Sequence, residues 1–204
     1  MAGLVPAIPI IEARCPTYRD HRDIGERSDA VLQTAMPGDD KRNNKRNAMN
    51  APATVAFERS HDIVINAPAK AVFDYVTNPQ SWPEWLAASH HIDSENRPLE
   101  AGELFHEKWH IRSGEVSLNW IVRACVSPKL WIVQAETDFI GPIVVQYTCE
   151  DVGGGTKFTR TLRNPARKKP PTDEQIANMD AEAAVGLGNI KANVEKRADF
   201  KPSA

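Results

Sequence analysis

The stretch TDEQIANMDAEAAVGLGNIKANVEKR, residues 172–197, decides the architecture. Ile176, Met179, Ala183, Leu187, Ile190 and Val194 recur at intervals of three and four. They form one apolar stripe along a helix of about five turns. Thr172 and Gln175 have the spacing of a capping box, and Asp173 and Glu174 suit the positive end of the helix dipole. Lys191, Lys196 and Arg197 suit its negative end. Gly186 and Gly188 interrupt the pattern, and each weakens a helix by up to about 1 kcal/mol relative to alanine. Close approach of sheet or ligand to the helix backbone, or a local bend, would account for them.

Upstream of that helix the period falls to two. In 103–112, Phe105, Glu107, Trp109 and Ile111 share one face, against His106, Lys108 and His110. In 115–126, Val116, Leu118, Trp120, Val122 and Ala124 share a face. Trp131, Val133 and Ala135 do so in 130–137, Ile143, Val145, Tyr147 and Cys149 in 143–150, and Phe158, Arg160 and Leu162 in 156–163. Ser127-Pro128-Lys129, Gly141-Pro142 and Gly153-Gly154-Gly155 separate these strands, and such short connections predict an antiparallel meander. A further strand over 57–66 comes first. Pro68 then opens a helix whose stripe is Val72, Phe73 and Val76, and Asn78-Pro79 ends it. A second short helix is expected over 80–88, with Pro83 in its first turn. The order is therefore strand, two short helices, about six strands and a long helix.

Three segments resemble the START-like (SRPBCC) helix-grip superfamily, in particular its polyketide cyclase/dehydrase branch. They are Ile65-Asn66-Ala67-Pro68-Ala69-Lys70-Ala71-Val72-Phe73-Asp74-Tyr75-Val76-Thr77-Asn78-Pro79, then Trp82-Pro83-Glu84-Trp85, then Gly186 through Glu195. The resemblance spans about Val55–Arg197. It implies an α+β fold with a curved antiparallel sheet of about seven strands around the long C-terminal helix. It also implies a cavity between them that takes a small apolar or amphipathic molecule. Fold alone does not supply function. The superfamily's range leaves three readings: a carrier or sequestering protein, a cofactor-independent cyclase, aromatase or dehydratase, and a protein-interaction module of the chaperone-cofactor kind.

Alternation sets out the residues that face inward. The expected ligand-binding set is Trp85, Phe105, Trp109, Trp120, Val133, Tyr147, Phe158 and Arg160, with Met179, Ala183 and Leu187 from the helix. Arg160, Glu107 and Tyr147 are the candidate catalytic groups. Two of them are ionisable yet in phase with apolar neighbours, where an unpaired charge is costly. Arg160 would anchor a carboxylate, enolate or phenolate, with Glu107 or Tyr147 holding or transferring a proton. Alternatively Glu107 and Arg160 sit near strand ends and reach water. Trp82 and Trp85 either gate the cavity or pack beneath their helix.

Other chemistry finds little support. His106 and His110 are four apart on a strand, so their side chains lie roughly 13 Å apart and cannot share an ion. With His90 and His91 they read as solvent-facing, and no metal or cofactor is expected. Cys15, Cys125 and Cys149 have no metal-type spacing and suit a reducing compartment. The net charge of −2 gives no pull on nucleic acid. No apolar run approaches a membrane span, and the opening Met1–Ala13 reads poorly as a secretory signal. A cytoplasmic monomer or homodimer is expected. Residues 1–53 carry five prolines (Pro6, Pro9, Pro16, Pro37 and Pro52) and no sustained period, and are expected to form a disordered tail before a domain over 54–200. The basic run Lys41–Arg46 within that tail is nearly balanced by acidic residues. Met49 is a candidate physiological start.

Overall fold

The computed structural model describes residues 54–199, apart from 112 and 113. The expected tail over 1–53, with its basic run, Cys15 and Met49, lies outside the described residues.

Strand β1 (Val55–Ile65) leads into helix α1 (Ala69–Val76), which Pro68 opens as its N-cap. The second short helix is tighter and shorter than the sequence suggests. It is a 3-10 helix over Pro79–Glu84, capped by the Asn78 side chain accepting from the Gln80 N–H at 3.1 Å. Pro79 at the first position costs no bond, but Pro83 lacks the N–H that would close an α-helical bond onto the Pro79 carbonyl, so the ladder is interrupted within this short segment. Six strands follow: β2 (Ser89–Asp93), β3 (Leu104–Ile111), β4 (Gly114–Val126), β5 (Leu130–Ala135), β6 (Ile143–Asp151) and β7 (Thr156–Arg167). Each pairs antiparallel with its chain neighbour, and β1 closes onto β7, giving the order β1-β7-β6-β5-β4-β3-β2. Gly153 and Gly154 both take positive φ between β6 and β7, as a tight hairpin turn of the right twist demands. The chain ends in helix α2 (Asp173–Asp199). Its capping box forms: Gln175 N–H donates to Thr172 Oγ1 at 3.2 Å, and Thr172 N–H donates to Gln175 Oε1 at 3.0 Å. This is the helix-grip architecture.

The inward residues of the meander are buried in the expected phase: Leu118, Trp120 and Val122 on β4, Trp131, Val133 and Ala135 on β5, and Ile143, Val145, Tyr147 and Cys149 on β6. Over β4 and β5 the hollow is filled by aromatic packing. Trp82, from the 3-10 helix, meets Phe105, Trp120 and Trp131 edge-on, with centroids at 5.3, 5.7 and 6.2 Å. Such pairs each contribute about 0.5–1.5 kcal/mol beyond their buried area. The Trp82 indole N–H donates to the Val76 carbonyl at 3.0 Å, and that of Trp131 to the Leu99 carbonyl at 2.9 Å. Trp82 is therefore core.

Helix α2 is clamped at its C-terminal half. Leu187, Ile190 and Val194 are buried. Asn193 Nδ2 donates to the Tyr75 hydroxyl at 2.9 Å, the hydroxyl donates to Glu84 at 2.9 Å, and Arg197 closes the set onto Glu84 at 2.8 Å. Lys191 Nζ reaches the Val64 carbonyl at 2.7 Å, and Glu195 accepts the Asn66 N–H at 2.7 Å. Toward the N-terminus, Ile176 and Met179 are only half-buried. There the main tie to the sheet is Asp180, held by His61 Nε2 at 2.8 Å and by the Arg59 guanidinium at 3.0 Å.

The two helix glycines differ. A Cβ on Gly186 would lie 3.0 Å from the Trp85 carbonyl oxygen, whereas one on Gly188 meets nothing within 4 Å. The close approach at Gly186 is made by the backbone that follows the 3-10 helix, not by the sheet. We predict opposite outcomes in urea unfolding. Gly188→Ala raises stability by about 0.5–1 kcal/mol, while Gly186→Ala lowers it by on the order of 1 kcal/mol because it crowds backbone. Equal stabilisation by both would contradict this contact.

Candidate functional site

What the aromatic packing leaves open is a cavity of about 370 Å³ over β1, β7 and β6, roofed by α2. Its apolar walls are Ile143, Val145 and Leu162 from the sheet and Ala183, Leu187 and Ile190 from the helix, with Trp85 and Trp109 at one side. Its polar groups cluster on β1 and β7. Arg59 and His61 face it from one strand, and Arg160, Asn164 and Arg167 from the other. The register explains the clustering: His61 sits opposite Arg160 and Arg59 opposite Leu162, so alternate residues of both strands share the inner face. Glu182 adds one carboxylate to the lining. Among the described residues, neither Arg160 nor Arg167 forms an ion pair with a carboxylate.

Glu107 is fully buried, and lies mid-strand on β3 rather than at a strand end reaching water. Its Oε2 accepts from the Trp120 indole N–H at 2.7 Å. Burial pushes its carboxyl up to about 7, opposed by Ser89, Trp109, Trp120 and the charge of Arg160. Ser89 Oγ and Trp109 Nε1 stand around the same carboxylate without closing well-formed hydrogen bonds. Among the described residues, the buried side-chain polar atoms without a partner are Ser89 Oγ, Glu107 Oε1, Trp109 Nε1 and Arg160 Nε. Each such atom ordinarily costs about 1–3 kcal/mol. Their concentration around one carboxylate and one guanidinium marks this part of the fold.

Tyr147 lies beside Arg160 in register and is buried, stacked on Trp131 at 5.4 Å. Burial pushes its phenol up to about 12, with Arg160 acting in the opposite direction. Of the residues expected to face a ligand, the cavity wall holds Trp85, Trp109, Arg160, Met179, Ala183 and Leu187. Phe105, Trp120, Val133, Tyr147 and Phe158 point inward but belong to the packed core behind it. Glu107 also lies behind the wall, with Trp109 and Trp120 against it. Alternation identifies the inner face but not the depth at which Trp82 stops filling it. Arg59, His61, Asn164 and Arg167 are wall residues that sequence reading passed over. Arg59, His61 and Asn164 keep the phase of Ile63 and Leu162, which was the available signal, whereas Arg167 lies past a register shift in the β1–β7 pairing and falls out of that phase.

Cys149 is buried, and burial pushes its thiol up to about 12; Cys125 is shifted upward by burial and by Glu100 and Glu103. Both suit unreactive strand residues. Among the described residues, no helix is long and apolar enough to cross a membrane.

Residues 55–195 match the family described as polyketide cyclase / dehydrase and lipid transport. The chain belongs to this family. A curated relative, penitrem biosynthesis cluster 1 protein I of Penicillium ochrochloron, is 27% identical over 150 residues, covering 69% of this chain and 97% of the relative. Among solved structures, Ara h 8.0201 superposes with a TM-score of 0.54 at 11% identity, over 69% of this chain and 98% of its own. The di-domain ARO/CYC StfQ from the steffimycin biosynthetic pathway superposes with a TM-score of 0.57 at 11% identity, over 78% of this chain and 56% of its own. At these identities the solved structures support the helix-grip fold alone.

The Glu107 carboxyl generates a pH prediction. Its pKa in the folded state, about 7, lies above the ordinary value of 4.5. Folding thus favours the protonated form, and this contribution is complete below pH 4.5 and is lost as pH rises through 7. At 1.36 kcal/mol per pH unit the swing is on the order of 3 kcal/mol. In denaturant unfolding, Glu107→Gln should gain stability relative to the parent between pH 5 and 8. A parallel pair of pH curves would show that Glu107 is not held this way.

Proposed function

We propose that the cavity binds a small amphipathic molecule carrying an anionic or enolic oxygen, and that the protein acts as its carrier or sequestering protein. The observation that carries this reading is Arg160: a guanidinium on the polar β1–β7 side of a cavity whose remaining walls are largely apolar, its Nε buried and unpartnered. Clefts that hold small molecules are built this way, apolar with a few placed polar groups, and begin near 300 Å³. Arg160, with Arg167 and Asn164 nearby, would take the polar end. Ile143, Val145, Leu187 and Ile190 would cover the apolar body, gaining about 25 cal/mol for each Å² removed from water. The names of similar chains, one from a penitrem biosynthesis cluster and one an ARO/CYC of the steffimycin pathway, agree with a small biosynthetic product or intermediate as ligand.

A second reading, a cofactor-independent cyclase, aromatase or dehydratase, is favoured by Glu107. A carboxyl poised near 7 can both give and take a proton at working pH. It stands behind Trp109, so proton transfer to a ligand would need that indole to swing or to relay through its neighbours. The open cavity counts against the third reading, a protein-interaction module with a filled interior.

Two fluorescent probes of similar shape test the anchoring role: 8-anilinonaphthalene-1-sulfonate, which is anionic, and N-phenyl-1-naphthylamine, which is neutral. Arg160→Ala should weaken the anionic probe about ten- to a hundredfold, the worth of a charge-assisted hydrogen bond, and leave the neutral probe within a few-fold. Leu187→Trp, which fills the cavity, should abolish both. Equal loss of the two probes in Arg160→Ala would remove the guanidinium from the site.

A further inference from the structure

We propose that His90, His110 and Glu115 form a binding site for a divalent transition-metal ion of the zinc class, on the outer edge of the sheet beside the cavity mouth. The three residues come from three consecutive strands, and their ligand atoms all lie within 4.8 Å of one another. His90 Nε2 is 3.4 Å from Glu115 Oε2, and His110 Nε2 is 3.7 Å from the same oxygen. These separations are long for hydrogen bonds between imidazole and carboxylate, which form near 2.7–2.9 Å. They are close to the edge of a tetrahedron of ligands around zinc, about 3.3–3.4 Å for metal–ligand bonds of about 2.0–2.1 Å.

The backbone builds this arrangement. His110 and Glu115 are directly paired across the β3–β4 hairpin. His90 occupies the extra position of a β-bulge: Ser89 pairs with Trp109 and His91 with Lys108, leaving His90 between them. A bulge re-aims one side chain, and here it brings the His90 ring against that of His110, with centroids 3.7 Å apart and planes 13° apart. The near-parallel rings present both Nε2 atoms to one carboxylate oxygen. Binding an ion would require each ring to turn so that its Nε2 lone pair meets the common centre.

Lys108 Nζ holds the other oxygen, Glu115 Oε1, at 3.1 Å. It keeps the carboxylate ionised and turned so that Oε2 faces the histidines, while its own charge moderates affinity for a cation. The carboxyl is held below its usual range, first by Lys108 and then by His90. Imidazole and carboxylate together suit zinc, nickel and copper rather than magnesium or calcium. Three protein ligands leave a fourth position open, which is the pattern of sites that exchange water or a ligand. His110 also lines the cavity rim, with Ala88 beside it.

The full chain, stripped with EDTA, is titrated with Zn²⁺ by calorimetry and with Co²⁺ by visible absorption. The parent should bind one equivalent attributable to this site and show the intense bands of four-coordinate Co²⁺. His90→Ala and His110→Ala should each weaken binding at least tenfold, and Glu115→Gln should weaken it similarly. His106→Ala, four residues from His110 on the same strand, should leave binding unchanged. His90, His110 and Glu115 are exposed and His106 is half-buried, and thermal unfolding of each variant checks that the fold is kept. The proposal is overturned if the parent binds no ion at millimolar Zn²⁺. It is equally overturned if the His90→Ala/His110→Ala double variant keeps the stoichiometry, affinity and Co²⁺ bands of the parent.

Discussion

How much of the hollow remains open is decided by Trp82. A helix laid across a bent sheet leaves space along its whole length, and an interior must be packed nearly as densely as an organic crystal wherever water is excluded. Trp82 fills that space over β4 and β5, edge-on to three aromatic rings. It can do so because Pro83 tightens its segment into a 3-10 turn that points the indole down and returns its N–H to Val76. The same turn brings the Trp85 carbonyl onto the backbone of α2 at Gly186. Beyond that contact no aromatic ring of comparable size fills the space, and the cavity lies between α2 and the inner faces of the strands even though Asp180 and Lys191 tie the helix to β1.

The polar groups are distributed in accord with this division. On the filled side, the indole N–H groups of Trp82 and Trp131 find carbonyl partners and the core is closed. On the open side, cationic groups collect on β1 and β7. At the boundary stands Glu107, bonded to Trp120 on the filled side and carrying an unpaired oxygen. A half-satisfied polar cluster is less stable than an apolar core of equal volume. Glutamine or leucine would therefore serve the fold better at this position. Such violations gather at sites that do something other than hold the chain together.

The strands that alternate strictly could be read from the residues: Phe105 through Ile111, Val116 through Val122, Trp131 through Ala135, Ile143 through Cys149 and Phe158 through Leu162 all face as their period dictates. Helix α2 could be read in the same way, down to its Thr172–Gln175 cap. Strand β2 could not. Ser89-His90-His91-Ile92-Asp93 has two histidines and a single aliphatic residue, and a bulge breaks its alternation, so neither hydrophobicity nor period signals it. Its edge position and its pairing with β3 come from tertiary context. That omission also hid the meeting of His90 with His110, because the spacing rule compared histidines along one strand and not across two. Depth within the core was hidden for a different reason. Period two separates inside from outside, but only three-dimensional packing separates Trp109, on the cavity wall, from Trp120, one strand away and sealed behind Trp82.

The position of Trp109 bears on how the binding and catalytic readings relate. Like Arg160, it both lines the cavity and acts on Glu107, and its N–H is unpaired. On the binding reading, a ligand oxygen drawn in by Arg160 rests beside the Trp109 ring, and Glu107 stays a buried acid that tunes the local charge. On the catalytic reading, the same oxygen competes with the carboxylate for that donor. Withdrawing the donor removes one of the groups that lower the Glu107 pKa, so ligand entry would itself raise the affinity of Glu107 for a proton. The two readings thus share a geometry and differ in whether Trp109 moves. A rigid indole makes the protein a receptacle; an indole that yields exposes a proton carrier to whatever the cavity holds.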